Sequence, residues 1–462
     1  MSRARWAAAE LILVSSGPNT SVPPTALNRR AFLRRAGLGA AAGPALVRAA
    51  VAASARPPGA IRRELFLRSP KAGTAVLAAT YYTRREGLEL ISMHQLMARS
   101  DTVDIAYFRH SPDNGRTWTG ESEIPTLEVR PDGKFRRALR SALVDPHTGR
   151  FVRFRIEGLL PGDDPLEGMR RWVVGYSVSG DGGHTWSVDE QIIHRGPGYS
   201  AAHSLPGVFT GKNCVMVGDI ASVPLALADG TILLPVMITP LGPDGTYYNP
   251  GGGYTYSDAA VLRGRWRSDG RLEWELSSII KVDPALSTRG MDEPTLAPLD
   301  DGRLIIVLRG SNDKKLALPG RRWIAQSADG GRTWSEPKPW TYAGGESFFS
   351  PSACSQLVPH SSGRIFWLGN ISPENPVGNR PRYPFVIGEV DRRSGLLLKP
   401  SVRVVDTRGA TDSAWLSLSN FSAREDRETG GIALNLSRLF QNSRGDELDW
   451  TSDACLYRIP LE

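Results

Sequence analysis

Short runs of apolar residues recur along the chain, and each run begins at a glycine turn. Four to six β-prone residues follow each glycine, a pattern typical of a strand buried on both faces. Successive glycines are 61 to 81 residues apart. The six copies read GTAVLA from Gly73, GRFVRF from Gly149, GTILLPV from Gly230, GRLIIVL from Gly302, GRIFWL from Gly363 and GGIALNL from Gly430. Repetition at this interval predicts one small sheet per repeat, with the apolar run as the strand nearest a central axis.

A second, polar motif is interleaved with these runs. It reads SPDNGRTW from Ser111, SGDGGHTW from Ser179 and SADGGRTW from Ser327. In such a segment the Asp and Ser side chains can hydrogen-bond the neighbouring backbone, the Gly can take a positive φ, and the Trp can pack under the turn. We therefore expect each copy to be a hairpin loop.

The two patterns together predict the architecture. A single small sheet cannot bury both of its faces, so six sheets arranged radially favour an all-β, six-bladed β-propeller of four-stranded antiparallel blades. Residues 56–462 number 407, which allows about 68 per blade. A pair of separate β-sandwiches is the alternative, and the even spacing of the repeats argues against it.

The charge of the chain is concentrated at one end. The formal net charge is +8, yet residues 1–55 hold seven of the 56 basic residues and one of the 48 acidic ones. The rest of the chain carries 49 basic and 47 acidic side chains, so its net charge is +2. No basic stripe remains to indicate nucleic-acid binding.

The leading segment has the pattern of an export signal. Asn28-Arg29-Arg30-Ala31-Phe32-Leu33-Arg34 is similar to the twin-arginine signature, and a weakly apolar Gly/Ala stretch follows over 36–53. Ala53-Ser54-Ala55 fits a signal-peptidase cleavage site. We expect residues 1–55 to be a twin-arginine-type signal peptide, residues 56–462 to be a single propeller, and the mature protein to be periplasmic or secreted. A disordered basic tail is the alternative.

Other features make no case for a membrane span, a metal or a cofactor. No later segment approaches 18 consecutive apolar residues, so the mature protein is expected to have no membrane partner. Cys214, Cys354 and Cys455 form no disulfide framework and show no metal-ligand spacing. The expectation is no metal and no cofactor, and the oligomeric state stays open.

The strongest cluster of candidate chemistry is Arg289-Gly290-Met291-Asp292-Glu293 in the fourth repeat, just before the apolar run that ends at Arg309. Ligands of propellers bind at one mouth of the central channel. A carboxylate pair flanked by Arg on a rim loop suits acid–base catalysis. A solvated loop is the alternative interpretation.

An aromatic loop in the third repeat is a second candidate. Four Tyr residues lie among glycines between Tyr247 and Tyr256, and Tyr254 and Tyr256 are the ones we expect to contact a sugar. Aromatic faces stack on sugar C–H surfaces, and phenol hydroxyls bond sugar oxygens. His203, upstream, is either a base or a loop histidine with satisfied hydrogen bonds.

The S-x-D-x-G-x-T-W elements resemble the Asp boxes of the sialidase superfamily, whose fold is a six-bladed propeller. The resemblance implies that the boxes mark the fold and face away from the active site. It also implies an arginine triad for a substrate carboxylate, a Tyr/Glu nucleophile pair and an Asp acid/base on a mobile loop.

The resemblance extends to individual positions. The 16-residue interval from Glu293 to Arg309, with an Asp-Gly turn between, is similar to the segment that supplies the Glu and the second triad Arg. Arg382 resembles the third triad Arg, with Arg380 as its competitor. Asp101 or Asp104 lies in the region that yields the acid/base Asp, and Arg99 is expected at the same mouth.

Two departures from the superfamily pattern stand out. No Arg-Ile-Pro occurs in the first repeat, and the sixth repeat reads Leu416-Ser-Leu-Ser-Asn420-Phe421 where the nucleophilic Tyr would be. Without that phenol, Glu293 would activate water and give inversion.

The expected activity is a sialidase-like exo-glycoside hydrolase acting on a carbohydrate with an acidic sugar, either sialylated, uronic or sulfated. In this interpretation Glu293 is the base or nucleophile, and Asp101 or Asp104 is the acid. Arg309 and Arg382 clamp a carboxylate or sulfate. The alternatives are a polysaccharide lyase that uses His203 with Tyr254 or Tyr256, and a non-catalytic glycan-binding propeller.

Overall fold

The extended segments of the chain join into six small antiparallel sheets. The computed structural model describes residues 59–461, so the predicted signal peptide, 1–55, lies outside the described residues. Four of the sheets have four strands and two have five. They follow one another along the chain as blades 1 to 6 of a six-bladed β-propeller, which confirms the predicted fold class.

Blades 1 and 2 occupy the first third of the described chain. The opening strand β1 (Arg62–Leu67) belongs to the last blade. Blade 1 contains β2 (Ala75–Tyr82), β3 (Leu90–Met97), β4 (Ile105–Ser111) and β5 (Ser122–Ile124). Blade 2 contains β6 (Leu127–Arg130), β7 (Gly133–Val144), β8 (Phe151–Leu160), β9 (Val173–Ser179) and β10 (Val188–Gln191), with the helix α1 (Pro165–Arg171) between β8 and β9.

Blades 3 and 4 form the middle of the chain. Blade 3 contains β11 (Val215–Met216), β12 (Leu225–Ala226), β13 (Ile232–Ile238), β14 (Asp258–Trp266) and β15 (Leu272–Leu276). Blade 4 contains β16 (Asp292–Pro298), β17 (Leu304–Arg309), β18 (Arg322–Ser327) and β19 (Lys338–Pro339). Both β11 and β12 pair with β13, so the first strand of blade 3 is interrupted at 217–224.

Blades 5 and 6 complete the ring. Blade 5 contains β20 (Gln356–Pro359), β21 (Ile365–Asn370), β22 (Phe385–Val390) and β23 (Arg403–Asp406). Blade 6 contains β24 (Ser417–Glu425), β25 (Ile432–Leu439) and β26 (Ala454–Ile459), and its fourth strand is β1 from the beginning of the chain. The pairing of β1 with β26 closes the ring by hydrogen bonds between the two ends of the described chain.

The glycine-led apolar runs are mostly the second strands of their blades. The runs from Gly149, Gly230, Gly302, Gly363 and Gly430 become β8, β13, β17, β21 and β25, and only the run from Gly73 becomes a first strand, β2. The prediction that these runs lie nearest the axis is therefore wrong for five of the six blades. The strand nearest the axis is an edge strand of its blade, whereas β8, β13, β17, β21 and β25 are interior strands of their sheets. Contacts between blades involve first strands, as in β2 with β24 and β16 with β20, and also second strands, as in β13 with β16. A second strand is buried on both faces because neighbouring blades cover it, which produces the same apolar pattern.

The polar motifs are turns between the last two strands of blades 1, 2 and 4, as predicted for hairpin loops. In the turn at 327–334, Ser327 Oγ accepts a hydrogen bond from Gly331 N at 2.9 Å and donates one to Asp329 Oδ1 at 2.8 Å. Asp329 also accepts from the backbone N–H and the hydroxyl of Thr333. These local bonds fold the turn without help from neighbouring blades.

The strand register separates the two ends of blade 4. Asp292 of β16 pairs with Arg309 of β17, and Arg309 pairs with Arg322 of β18, so these residues form one row across the sheet. At the opposite end, Pro298 pairs with Leu304, and Leu304 pairs with Ser327, the first residue of the polar turn. The polar turn and the row of charged residues therefore lie at opposite ends of the same blade.

The hydrophobic core is divided among the spaces between blades. Separate clusters of buried side chains join blades 3 and 4, blades 4 and 5, and blades 5 and 6. Trp340 and Trp367 meet edge to face between blades 4 and 5, with ring centroids 5.2 Å apart. Within the described residues, no helix is long and apolar enough to cross a membrane.

Candidate active site

Glu293 stands at a β-bulge in the first strand of blade 4. The register of β16 against β17 shifts between Asp292 and Thr295, and Glu293 has a φ of 43°. A bulge turns a side chain out of the regular alternation, and a non-glycine residue in the left-handed region stores strain of about 1–3 kcal/mol. A Cβ added to Gly218 would lie 2.9 Å from Glu293 Cγ. Glycine at 218 therefore leaves the space that Glu293 occupies.

Two arginines predicted from the sequence lie near this carboxylate, and one of them contacts it. Arg309 Nη1 lies 2.7 Å from Glu293 Oε1, and both side chains are largely buried. Arg309 Nε donates to Ser352 Oγ at 2.7 Å, while Arg382 Nη2 donates to the Ser352 carbonyl at 3.1 Å. Ser352, which precedes β20, thus fixes the guanidinium groups of Arg309 in blade 4 and Arg382 in blade 5.

Arg322 is a third arginine of this cluster that the sequence analysis missed. It is fully buried, and its Nε and Nη2 donate to Ser350 Oγ at 3.0 Å and to the Cys354 carbonyl at 3.2 Å. Its place beside Arg309 follows from the pairing of β17 with β18. The available signal was the apolar stretch at 323–325, which marks a third strand beginning next to Arg322.

The arginines determine the charge state of Glu293. Burial alone would raise the pKa of Glu293, but Arg309, Arg382 and Arg322 outweigh it and hold that pKa below the ordinary value. Burial lowers the pKa of Arg322 to about 9 and that of Arg382 to about 10. At neutral pH the cluster therefore contains an ionised carboxylate among cationic guanidinium groups.

Several buried polar atoms of this cluster have no hydrogen-bond partner among the described residues. They are Glu293 Oε2, Arg322 Nη1, Arg382 Nε, Arg289 Nε and both carboxylate oxygens of Asp292. Burying a polar atom without a partner costs about 1–3 kcal/mol, so most such atoms in native proteins are satisfied. Their concentration around Glu293 indicates a binding site whose ligand would complete the hydrogen bonds.

Asp292 lies beside Glu293 but is in a different charge environment. Arg289 Nε is 3.9 Å from Asp292 Oδ2, and Arg309 is its register partner on β17. Burial raises the pKa of Asp292, against the opposing effect of Arg289 and Arg309. The two adjacent carboxyl groups thus have pKa values shifted in opposite directions.

A second polar group borders the cluster from blades 3 and 6. Asn420 occupies a bulge of β24, where the register shifts between Leu418 and Phe421, and its φ is 59°. Asn420 Nδ2 donates to Asp219 Oδ2 at 2.6 Å, and the Cys354 thiol donates to the same oxygen at 3.0 Å. Asp219 lies in the interrupted first strand of blade 3, and its pKa is raised by burial and also by the charge of Glu293.

Arg140 extends the polar group toward blade 2. The register of β7 shifts between Leu139 and Ser141, which places Arg140 at a third bulge. Arg140 Nε is buried without a partner, and its charge opposes the raised pKa of Asp219. The strands β7, β16 and β24 thus each place one polar residue, at a bulge, in this region.

Asp101 and Asp104 in the first blade lie at the same end of the propeller as Arg309, but each has a hydrogen-bond partner of its own. The loop 98–104 joins β3 to β4, as the loop beyond Arg309 joins β17 to β18. Asp101 accepts from Ser100 Oγ at 2.8 Å, and Asp104 accepts from Ala98 N at 3.3 Å. Within residues 59–461 no hydrogen bond or ion pair joins either carboxylate to Glu293. Asp101 and Arg140 do line the same cavity, of about 20 Å³.

Arg99 is engaged in an ion pair away from Glu293. Its Nη2 lies 3.0 Å from Asp163 Oδ2, and Asp163 also contacts Lys134 and Arg136. The structure therefore does not bring Arg99 to Arg309 and Arg382.

Of the aromatic candidates, Tyr254 is exposed, His203 is half-buried and Tyr256 is buried. Tyr254 is 49% exposed, and its ring lies 6.0 Å from the guanidinium of Arg289, next to Asp292. Tyr256 is 2% exposed and donates its hydroxyl hydrogen bond to the Val282 carbonyl, so its ring is not presented to a ligand. His203 stacks on Phe209 at 4.0 Å in the loop before β11. Of the three, Tyr254 is the one placed beside the cluster.

The described residues include no group of three or more His, Cys, Asp or Glu side chains that could hold a metal ion.

Comparison with known families identifies the class of protein. The family model described as BNR repeat-like domain matches residues 163–402, which is more than half of the chain. The chain therefore belongs to the BNR repeat-like domain family. No curated protein sequence matches the chain.

Solved structures with a similar fold include sialidases. A Dyadobacter fermentans protein of unknown function is 14% identical, with a TM-score of 0.54 over 86% of this chain and 99% of that one. The intramolecular trans-sialidase from Ruminococcus gnavus is 14% identical, with a TM-score of 0.51 over 84% of this chain and 95% of that one. A variant of the NanB sialidase from Streptococcus pneumoniae is 11% identical, with a TM-score of 0.54 over 86% and 70%. At these identities the likeness establishes the fold.

Proposed function

We propose that the protein is a glycoside hydrolase that releases an acidic sugar from the end of a glycan. The observation that carries this proposal is Glu293, whose Oε1 is held by Arg309 while its buried Oε2 has no partner. An ionised carboxylate with one free oxygen in a buried polar site is suited to act as a general base. The sialidase-like fold of the structural neighbours supports the same reaction class.

The arginine cluster suggests the charge of the substrate. Arg309, Arg322 and Arg382 supply three guanidinium groups around one ionised carboxylate, which leaves an excess of positive charge. Arg322 Nη1 and Arg382 Nε are unpaired donors at fixed positions. Planar guanidinium groups bind carboxylate and sulfate through paired hydrogen bonds. A sialic acid, a uronic acid or a sulfated sugar would fit this requirement.

The residues at the site favour hydrolysis with inversion. In this mechanism a water oxygen bonds to the anomeric carbon, and Glu293 Oε2 takes a proton from that water. The glycosidic C–O bond breaks on the opposite face, and the leaving oxygen receives a proton from an acid, for which Asp101 and Asp104 are the candidates. Asn420 occupies the strand where a tyrosine nucleophile was expected, and an amide does not form the covalent glycosyl intermediate of a retaining enzyme.

Product release tests the proposal directly. The purified full chain and its Glu293→Gln variant would be incubated with sialylated, uronate-rich and sulfated glycans, and products would be identified by mass spectrometry. We expect the protein to release an acidic monosaccharide and the variant to be slower by about 10²–10⁴-fold, because the amide cannot accept the proton.

Glu64→Gln is the matched control, because it makes the same chemical change at an exposed carboxylate on β1 and should leave the rate unchanged. Full activity of Glu293→Gln would remove Glu293 from the mechanism. Binding of an acidic glycan without release of any product would instead identify a glycan-binding propeller, with the same arginine cluster as its anion site.

We further propose that residues 1–55 direct export of the folded protein. Arg29-Arg30, the Gly/Ala stretch and Ala53-Ser54-Ala55 support this proposal. The variant Arg29→Lys/Arg30→Lys should remain inside a bacterial host that exports the parent chain, as measured by cell fractionation. Mass spectrometry of the exported protein should give an N-terminus at Arg56, and an exported chain that retains residue 1 would contradict the cleavage site.

A further inference from the structure

Asp219 and Asn420 form a hydrogen-bonded pair that takes no part in the steps proposed for the reaction. The Asn420 amide donates from Nδ2 to Asp219 Oδ2 at 2.6 Å. Asp219 is 6% exposed, and its other oxygen, Oδ1, accepts from the backbone N–H of Ile220 at 2.7 Å. The Ile220 N–H and the Cys354 thiol both donate to the Asp219 carboxylate and hold it in place. Asp219 is therefore a fixed acceptor that determines how the Asn420 amide is oriented.

The orientation of this amide leaves its oxygen as the free end. With Nδ2 bound to the carboxylate, Asn420 Oδ1 is directed away from Asp219. Asn420 is only half-buried, whereas the residues on either side of it along β24 are buried. Because Asn420 has a strained φ of 59° and lies at the bulge of β24, its side chain departs from the regular alternation of side chains along the strand.

Glu293 is adjacent to this pair. The position that a Cβ of residue 218 would take lies 3.0 Å from Glu293 Cα and 2.9 Å from its Cγ, so the backbone that carries Asp219 contacts Glu293. The charge of Glu293 also acts on the Asp219 carboxyl. Two bulged first strands, β16 and β24, therefore bring Glu293 and Asn420 to the same short segment, 218–219, and the buried Glu293 Oε2 has no hydrogen-bond partner among residues 59–461.

We propose that Asn420 Oδ1 and Glu293 Oε2 together hold the water that attacks the anomeric carbon, with Asp219 as the residue that positions Asn420. A water molecule has two protons to donate, and two acceptors at fixed positions would orient the lone pairs of its oxygen. In the step itself, the water oxygen bonds to the anomeric carbon and one proton moves to Glu293 Oε2. The second proton stays hydrogen-bonded to Asn420 Oδ1, and the leaving oxygen departs with a proton from the acid. The inference rests on the proposed function and adds the groups that orient the nucleophile.

A crystal structure of the full chain at high resolution tests the water site independently of any turnover. We expect an ordered water within about 2.6–3.2 Å of both Asn420 Oδ1 and Glu293 Oε2. In Asp219→Ala the Asn420 amide should rotate, and this water should be displaced or lost. A parent structure in which Asn420 Oδ1 bonds a protein group, or in which no water bridges the two oxygens, would overturn the proposal.

Kinetics on the glycan that the product assay identifies provides the second test. Proton NMR should show the inverted anomer as the first product, and a retained anomer would overturn the assignment of water as nucleophile. Asp219→Asn and Asn420→Ala should each lower kcat by about 10²-fold with KM changed less than twofold, because neither residue is placed among the anion-binding arginines. The double variant should lose no more than either single one, since the two residues act as a unit.

These outcomes distinguish the two proposals. If no glycan is turned over but the bridging water is present, the hydrolase assignment fails while the water site stands. If turnover occurs and the Asp219 and Asn420 variants are fully active or strictly additive, the hydrolase assignment stands and the role given to this pair is wrong.

Discussion

At the scale of single residues, the strain at two non-glycine positions marks the site. Glu293 and Asn420 both have positive φ, and both are at register shifts in first strands. Such conformations cost about 1–3 kcal/mol each and persist where the surrounding structure over-determines them. Around Glu293 the supporting contacts are the Arg309 ion pair and the bare backbone of Gly218. The strain is therefore maintained by neighbours that lie at the candidate site itself.

Gly218→Ala tests how closely the position of Glu293 is controlled. The new Cβ would lie 2.9 Å from Glu293 Cγ and 3.0 Å from its Cα, closer than van der Waals contact allows. Product release should fall at least about tenfold, since a displacement of about 1 Å can cost 10²-fold. The strain should lower the free energy of unfolding by about 1–3 kcal/mol.

Gly198→Ala is the control, because nothing lies within 4 Å of a Cβ added there. It should change neither the rate nor the stability. Normal activity of Gly218→Ala would show that Glu293 can be displaced without consequence, contrary to its assigned role.

At the scale of elements, the polar turn and the charged row divide blade 4 into a structural end and a chemical end. In blade 4 the turn at 327–334 is at the end opposite Arg309 and Arg322. The turn is held by hydrogen bonds among its own residues, whereas the opposite end holds buried groups without partners. Mutations at the two ends should therefore have different effects, on stability at one and on activity at the other.

Asp329→Asn should lower stability without lowering activity. Hydrogen bonds from Thr333 and Ser327 outweigh the effect of partial burial and lower the pKa of Asp329 to about 2, from an ordinary value of 3.8. Because the folded-state pKa is below the unfolded one, the ionised carboxylate stabilises the fold fully above about pH 4. This stability is lost as the pH falls toward 2. The variant should unfold more easily at pH 7, and its stability should depend less on pH between 4 and 2.

Asp269→Asn is the matched control for the turn. Asp269 lies in the corresponding turn of blade 3 between β14 and β15, where it accepts a backbone hydrogen bond from Arg271 and forms an exposed ion pair with Arg267 at 3.0 Å. Urea unfolding across this pH range would compare the two variants. Equal effects of the two substitutions would show that the full set of bonds in the polar turn adds nothing beyond one backbone hydrogen bond and one exposed ion pair.

At the scale of the whole molecule, the ring depends on one pairing between distant parts of the chain. β1 pairs with β26 from Arg62 opposite Arg458 to Leu67 opposite Ala454. Blade 6 is the one blade whose strands come from both ends of the described chain. Closing the ring covers an edge strand that would otherwise expose its backbone groups.

Removal of β1 should therefore destabilise the entire propeller. A chain that starts at Ser69 lacks β1 and should unfold at a lower urea concentration, with a smaller denaturant dependence if blade 6 no longer unfolds with the rest. A chain that starts at Ala60 keeps β1 and should unfold as the full chain does. The same transition for both truncated chains would mean that the closure contributes nothing to stability.

The repeats could be read from the sequence because turn chemistry is local. The six glycine turns and the three polar hairpins are determined by residues within a few positions of one another, so their number and order predicted six blades. The position of the apolar strand within its blade was predicted wrongly for five of the six blades, since burial on both faces depends on the neighbouring blade and not on the strand's own residues.

Part of the site was encoded in the same local way. β16 and β17 form a hairpin, and the interval from Glu293 to Arg309 follows from antiparallel pairing about the turn at Gly302. Arg322 pairs with Arg309 across the long loop 310–321, whose length does not specify a register. That arginine could not be assigned from spacing.

The sequence by itself thus determined the number of blades, the polar hairpins and the placing of Glu293 and Arg309 about one turn, because each depends on turns and pairings within one repeat. Only the tertiary structure brought Asp219 to Asn420, which is 201 residues away along the chain, and joined β1 to β26. Those contacts arise from closing the ring, which brings the first strands of different blades around one axis. No periodicity along the chain encodes which of their bulged residues will meet there.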